Sequence, residues 1–430
     1  METIKRLPAR GSYLLLAYMP FHIFLSQSLS LLTGGLDAWK LGKDVLTVLL
    51  SVVTVVLVYA LRKQNKVFNV LVGLFSLYVM SYAIVWAINP DIYTKTALLG
   101  TLYNLRVIAY AVLGFGAALL APHEISNTKI IKLVLIVAGI VSVLGILQYF
   151  LPKDILGHFG YSIERGVKPN FFIDDKADLP RIMSTLRDPN SLAAYLILPL
   201  CISIGLFFNN KKRRMLFGGL TLLMSLALFL TFSRGGLLGA IIAIAAIIGL
   251  RFRGWLLEYA KPLTIGFFAA VVVFGTLGYV HRDQYVVQNI ILHSDESTKA
   301  TEDSNELHAR LAADGAKAIV KRPQGHGPGT AGIVSIQNPK GGVLTENYFV
   351  QIGYEVGIIG LALFLIIWGY ILFRLSKNSS LLSSSLLASA AAYAVLCLIM
   401  HLWTNEAIAA TWWITAGLVL GQKPLSNHKS

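Results

Sequence analysis

Charge is what this chain has little of. Only 14% of its 430 residues are Asp, Glu, Lys or Arg, whereas 55% are hydrophobic. A soluble domain carries about 25% charged residues, so this composition excludes an ordinary soluble fold and points to a multi-span membrane protein. Cysteine is almost missing too. The two cysteines, Cys201 and Cys397, both fall inside apolar runs, which argues against a disulfide framework or a thiolate metal site. Acidic residues are scarcer than basic ones, 22 against 37, for a net charge of +15. On a soluble chain that excess would suggest nucleic acid. Here no zinc-finger spacing, RNA-recognition fingerprint or continuous basic face is found. The bases sit instead in short loops between apolar runs, the positive-inside pattern, and no nucleic-acid partner is expected. No internal repeat or low-complexity tract is visible.

What is abundant is apolar length. A span needs roughly 20 apolar residues, and about twelve windows qualify: 11–32, 41–61, 67–88, 98–121, 130–151, 190–208, 215–232, 235–250, 260–280, 347–373, 380–401 and 407–422. The first is too long for a cleaved signal peptide and lacks a small-residue cleavage site, so it reads as a retained span. Lys5, Arg6 and Arg10 precede it, and every second connection after it is basic. These are Arg62-Lys63 with Lys66, Lys129 with Lys132, Lys211–Arg214, Arg251 with Arg253 and Lys261, Arg374 with Lys377, and a tail with Lys423 and Lys429. The alternation predicts both termini in the cytoplasm. The expected fold is an all-α polytopic bundle, residues 1–430 forming one integral membrane domain bathed by lipid.

Two long connections, about 152–189 and 281–346, then face outward, and loops of that length usually have a task. The second is predicted to contain a helix at about 304–321. Asp303 or Ser304 can cap it, and Leu307, Leu311, Ala318 and Ile319 share one face. Gly315 lies on that face at a cost of about 1 kcal/mol relative to alanine. Pro323 ends the helix.

Polar groups at membrane depth are costly and therefore informative. Arg106 falls within the fourth span and Glu355 within the tenth. His401, Asn405 and Glu406 gather between the last two. The stretch Phe232-Ser233-Arg234-Gly235-Gly236 joins two apolar runs and is too short to leave the membrane. A helix starts there, so its free N–H groups and positive dipole end lie beside Arg234. Either Arg234 snorkels to the surface, or an anion sits between like charges. Arg181 and Arg187 add positive charge at the same level. Asp188 or Asn190 can cap the following span, with Pro189 in its first turn, and Asn347 can cap the tenth. The glycine cluster Gly325-His326-Gly327-Pro328-Gly329 lacks phosphate-loop spacing. Asp174-Asp175 reads as a solvated acidic turn rather than a metal site, and no metal cage is visible.

In order, Arg187-Asp188-Pro189-Asn190, Ser233-Arg234-Gly235, Arg310 with Pro323-x-Gly325-x-Gly327, and Asn347-Tyr348 with Glu355-Val356-Gly357-Ile-Ile-Gly360 resemble the O-antigen ligase and polysaccharide polymerase family of bacterial envelopes. The resemblance covers roughly 180–360. It implies a GT-C-like membrane glycosyltransferase that takes glycan from an undecaprenyl-pyrophosphate carrier on the outer side of the cytoplasmic membrane. The acceptor it implies is a glycan or a lipid. Inverting chemistry without metal, cofactor or nucleotide sugar is implied as well. Arg234 and Arg310 match the family's two functional arginines. Where the family has a histidine before the motif asparagine, this chain has Glu346, which can act as a base if its surroundings tune it. That departure tilts the expectation from ligase toward polymerase. His308 and His326 are the nearby substitutes. Beside the matched residues, Arg187, Asn190, Asn347, His326 and Arg106 are expected to contact substrate. Arg106 reaches either the pyrophosphate or Glu355. The competing class is a polysaccharide or lipid transporter or flippase. Transporters favour repeated halves and paired broken helices, whereas this chain concentrates its polar residues on one face.

Overall fold

The computed structural model describes residues 2–173, 176–252 and 304–422. Window 260–280, the first part of the second long connection, Asp174-Asp175 and the basic tail lie outside the described residues. Every other apolar window is helical. Among the described residues nine helical stretches are long and apolar enough to cross a membrane, and two shorter apolar helices follow. The chain is an all-α polytopic membrane bundle.

The helices run α1 Glu2–Tyr18, α2 His22–Thr33, α3 Leu36–Ala60, α4 Lys66–Ala87, α5 Thr94–Leu120, α6 Asn127–Phe150, α7 Pro189–Asn209, α8 Arg214–Leu230 and α9 Arg234–Arg251. Then come α10 Ser304–Lys321, α11 Gly332–Ser335, α12 Tyr348–Ser376, α13 Leu381–Leu396 and α14 Glu406–Gly421. The first window is two helices broken at Pro20, whose missing N–H interrupts the ladder. Side-chain caps start most of the others. Asn65, Ser126, Asp188, Ser233, Asn347, Ser380 and Asn405 each accept a backbone N–H from the first turn.

Packing is inside-out relative to a soluble protein. Leu77, Met80 and Ile84 of α4 and Leu222, Leu226 and Phe229 of α8 are exposed, the pattern of lipid-facing helices. The centre is the crossing of α5 and α14. It is close because it is built on glycine. A β-carbon at Gly417 would lie 2.2 Å from the Ala111 carbonyl oxygen, and one at Gly114 would lie 2.5 Å from that of Ile414. Small residues let membrane helices meet at backbone distance, where dispersion contacts replace the missing hydrophobic drive. Trp403, Trp412 and Trp413 are fully buried beside this crossing.

One end of the bundle collects the starts of α3, α5, α7, α9, α12 and α14 together with the irregular chain. At the opposite end Arg6 pairs with Glu124 at 3.3 Å and Gln422 bonds Asn127 at 3.0 Å. The first long connection is not an open loop. Its two-stranded ribbon, Phe172–Ile173 with Lys176–Pro180, leads into a segment whose Ile182, Met183 and Leu186 are buried. Gln148 holds that segment through the N–H groups of Met183 and Ser184, at 3.0 and 2.8 Å.

Candidate active site

The Asp-Pro-Asn turn and the Ser-Arg-Gly junction come together through Arg181. Its Nε donates to the Thr231 carbonyl at 2.9 Å and its guanidinium to Asn190 Oδ1 at 3.0 Å. The Ile182 N–H reaches the Leu230 carbonyl at 3.2 Å. Asp188 caps α7 through Ser191, and Ser233 caps α9 through Gly236. The two helix starts touch, since a β-carbon at Gly236 would lie 2.3 Å from that of Ala193. This contact is why the junction carries glycine. Arg234 is the first residue of α9 and half-buried. Two positive dipole ends and two arginines therefore share one polar spot, which favours anions.

The glycine-rich stretch completes a broken helix. Helix α12 leaves helical geometry at Val356 and Gly357, where Gly357 has φ of +72°. The freed carbonyls of Tyr354 and Glu355 accept the N–H groups of His326 and Gly327 at 2.8 and 2.9 Å. The Ile358 N–H turns to the Pro323 carbonyl at 2.9 Å. A side chain at Gly325 would collide with the Glu355 carbonyl, and one at Gly329 with that of Thr96. The same loop encloses Glu355, which is fully buried. Its carboxylate accepts from Asn104 Nδ2 at 2.9 Å and from the Ala331 N–H at 3.4 Å, and Tyr348 Oη donates to Asn104 Oδ1 at 3.3 Å. The His326 ring stacks on Tyr354, with centroids 4.0 Å apart and planes 10° from parallel. Burial holds its imidazole below the ordinary histidine range. The Arg322 charge pushes the same way, and the bond to the Tyr354 carbonyl opposes both.

Arg106 belongs to neither region. It pairs with Asp44 at 2.9 Å and Glu406 at 3.5 Å, and donates to the Thr404 carbonyl at 2.6 Å. Lys43 closes the group, 2.8 Å from Asp44 and 3.4 Å from Glu406. Two acids and two bases thus cancel within the bundle. Of the two partners the sequence offered Arg106, the structure supplies neither pyrophosphate access nor Glu355. Its terminal nitrogens are committed and the side chain is fully buried. Lys43 and Asp44 went unread as site residues. Their signal was two adjacent charges near the start of an apolar run.

The other expected residues fall as follows. Asn190 accepts from Arg181, and Asn347 caps α12 through the Val350 N–H at 3.0 Å. Helix α10, bearing the exposed Arg310, packs on α12. A β-carbon at Gly315 would meet Val350 at 2.6 Å, so glycine on its apolar face serves a close crossing. The helix spans Ser304–Lys321, as predicted; Asp303 and the side chain of His308 lie outside the described residues. Glu346 precedes Asn347 in the left-handed region, with φ of +45°. Four non-glycine residues among those described have such a φ. Three of them sit beside motifs: Ser184, Phe232 and Glu346. Left-handed backbone at residues other than glycine stores about 1–3 kcal/mol and clusters at functional sites.

Fold and site together define a polytopic membrane protein that gathers its polar machinery at one end of the bundle. A family model described as O-antigen ligase matches residues 219–365. An O-antigen polymerase of Salmonella muenchen is 23% identical over 325 residues, covering 74% of this chain and 78% of the relative. Motif order, family model and relative agree in what this chain is similar to: the O-antigen ligase and polysaccharide polymerase family.

Proposed function

We propose that this protein is a membrane glycosyltransferase of lipopolysaccharide biosynthesis. It moves glycan from an undecaprenyl-pyrophosphate carrier to a glycan or lipid acceptor on the outer side of the cytoplasmic membrane, and polymerisation is favoured over ligation. The observation that carries this reading is the strained backbone beside three motifs at one end of the bundle, at Ser184, Phe232 and Glu346. A pyrophosphate is a good leaving group once its developing charge is met. Arginines meet it through planar, paired hydrogen bonds in a water-poor site. Arg234, at a helix start, and Arg310 take that role, and Glu346 draws the proton from the acceptor hydroxyl. The chemistry is inverting and needs no metal. Polymerase is preferred because Glu346 replaces the histidine of ligases, and the relative named as a polymerase supports the choice. Both termini lie in the cytoplasm, as the basic loops require.

The test is complementation of a deletion strain with wild type, Arg234→Ala or Glu346→Ala, followed by profiling of surface glycan and carrier-linked intermediates. Loss of a polymerase leaves single repeat units transferred, whereas loss of a ligase leaves long chains on the carrier. Carrier-linked units accumulating on the cytoplasmic face would instead indicate transport and end the transferase reading. Full activity in Glu346→Ala would remove it as the base.

A further inference from the structure

The end of the bundle opposite the candidate active site holds a cavity that the proposed reaction leaves unused. It lies between the ends of α7 and α9 and the start of α13, with a volume of about 280 Å³. Roughly 10–15 Å³ admits a single water, so the space is large enough for a ligand group. Its floor is apolar, since Ile204 of α7 and Ile247 of α9 are buried there. Its rim is polar, with Asn209, Arg251 and Ser384. Leu250 lines one side and is 46% exposed, and Met215 and Leu216 of the neighbouring α8 are exposed as well, so the opening faces lipid. The gap is not loose packing. A β-carbon at Gly205 would lie 2.3 Å from the Leu381 side chain, so α7 and α13 touch beside it.

Arg251 is tied to this rim. Its Nε donates to Asn209 Oδ1 at 3.1 Å, and its guanidinium carbon lies 5.6 Å from the centroid of the Phe252 ring. Both partners are neutral, and Arg251 makes no ion pair among the described residues. No Asp or Glu occurs in α7, α8, α9, α13 or the turn between α12 and α13. The turns at this end add Lys211–Arg214 and Lys377 to the positive side. The first acid after Arg251 is Glu258, which lies outside the described residues. Helices α7 and α9 end at this rim while α8 and α13 begin there, so their dipoles offset and the side chains set the sign. A fixed cation above an apolar floor, open to lipid, complements a molecule with an anionic head and an apolar chain. A small free anion would use the rim and gain nothing from the floor.

We propose that this cavity binds an anionic membrane phospholipid. The phosphodiester sits on Arg251 and Ser384, and the adjoining part of an acyl chain lies against Ile204 and Ile247. Arg251 supplies paired donors in a planar fork, and basic pockets between membrane helices recognise acidic headgroups in this way. The site is independent of the transferase reading, because none of its residues belongs to the candidate active site.

The experiment uses the full chain in nanodiscs of phosphatidylcholine, with or without phosphatidylglycerol. Native mass spectrometry counts the retained lipid, and thermal unfolding is followed in the same discs. Wild type is expected to retain one phosphatidylglycerol in preference to phosphatidylcholine. It should also unfold at a higher temperature when phosphatidylglycerol is present, because a ligand of the folded chain stabilises it. Arg251→Gln should weaken retention about 10-fold, the scale of one charge-assisted contact, and lose the thermal shift. Arg251→Lys should restore part of both. Ser384→Leu fills the cavity and keeps the charge, and it should lose the lipid as well. Lys132→Gln removes a cation from the same end, on α6, and should change neither readout. Wild-type retention in Arg251→Gln or in Ser384→Leu overturns the site, as does equal weakening in Lys132→Gln. Displacement of the lipid by inorganic phosphate assigns the rim to a free anion and overturns the phospholipid. Phosphatidylglycerol retained by Glu258→Gln but not by wild type gives Arg251 an internal partner and overturns the site too. Glu346→Ala should keep the lipid whatever its activity, so the transferase reading and this site fail separately.

Discussion

Arg106 and Arg234 are both arginines at apolar depth, yet the fold treats them in opposite ways. Arg106 sits mid-helix, and Asp44, Glu406, Lys43 and the Thr404 carbonyl complete its surroundings. Arg234 opens α9, where the helix dipole adds to its charge instead of offsetting it. A buried charge with its counter-charge built in is structure. On the proposed function, a charge placed where the backbone is also positive serves the anion of the carrier. The difference predicts different failures. Arg106→Leu leaves two carboxylates sharing Lys43, and removing one partner of a buried pair costs about 3–5 kcal/mol. Thermal unfolding in detergent should show that loss, and adding Asp44→Leu should recover part of it. Unchanged unfolding in Arg106→Leu would mean that the four charges do not hold the bundle together. Arg234→Ala should leave unfolding within about 1 kcal/mol and lower turnover about 100-fold, the scale of losing one donor to a developing oxyanion.

The broken helix offers a third, smaller test on the Arg106 side, since Glu355 bonds Asn104 of α5. Gly357 has φ of +72°, and a β-carbon there would lie 2.3 Å from the Pro323 carbonyl oxygen. Gly357→Ala should cost about 1–3 kcal/mol and loosen the loop at 323–332, read as faster hydrogen exchange there. Gly369→Ala in the same helix is the control, because nothing lies within 4 Å of its β-carbon. Equal effects at the two positions would show that the break does not depend on the loop seated in it.

Much of this was legible in the sequence because lipid imposes a simple code. Long apolar runs became helices, and Asp188 and Asn347 cap them because a short polar side chain before an apolar run has few other uses. The helix at 304–321 was legible for the same reason. The partners of Arg106 were not, since Asp44 lies 62 residues away and Glu406 lies 300, and no local pattern encodes pairing at that range. Nor was the purpose of the glycines. Gly325-x-Gly-x-Gly shows in sequence only that it is no phosphate loop, and the break at Val356 and Gly357 shows which carbonyls it had to reach. Arg181 read as spare charge but is the bond between two motifs.

The smallest effect concerns His326, which tests whether the loop is seated by geometry alone. Its imidazole is held below the ordinary histidine range, by burial first and by Arg322 second. The folded state therefore resists protonation while the unfolded chain accepts it near the usual value of about 6.5. Between the two values the unfolded chain binds more protons, so stability rises with pH. The contribution is complete above the ordinary value and is lost as pH falls through the lower, folded one. His326→Gln removes that titration but also the stacking on Tyr354 at 4.0 Å. Wild type should therefore be the more stable protein near neutrality, and its advantage should shrink toward pH 5 as the unfolded chain takes a proton that the folded ring resists. Melting temperatures of both proteins across that range read the gap directly. A gap that stays constant or widens in acid would mean that His326 does not titrate in its seat against α12, leaving the backbone bonds to Tyr354 and Glu355 as what holds the loop.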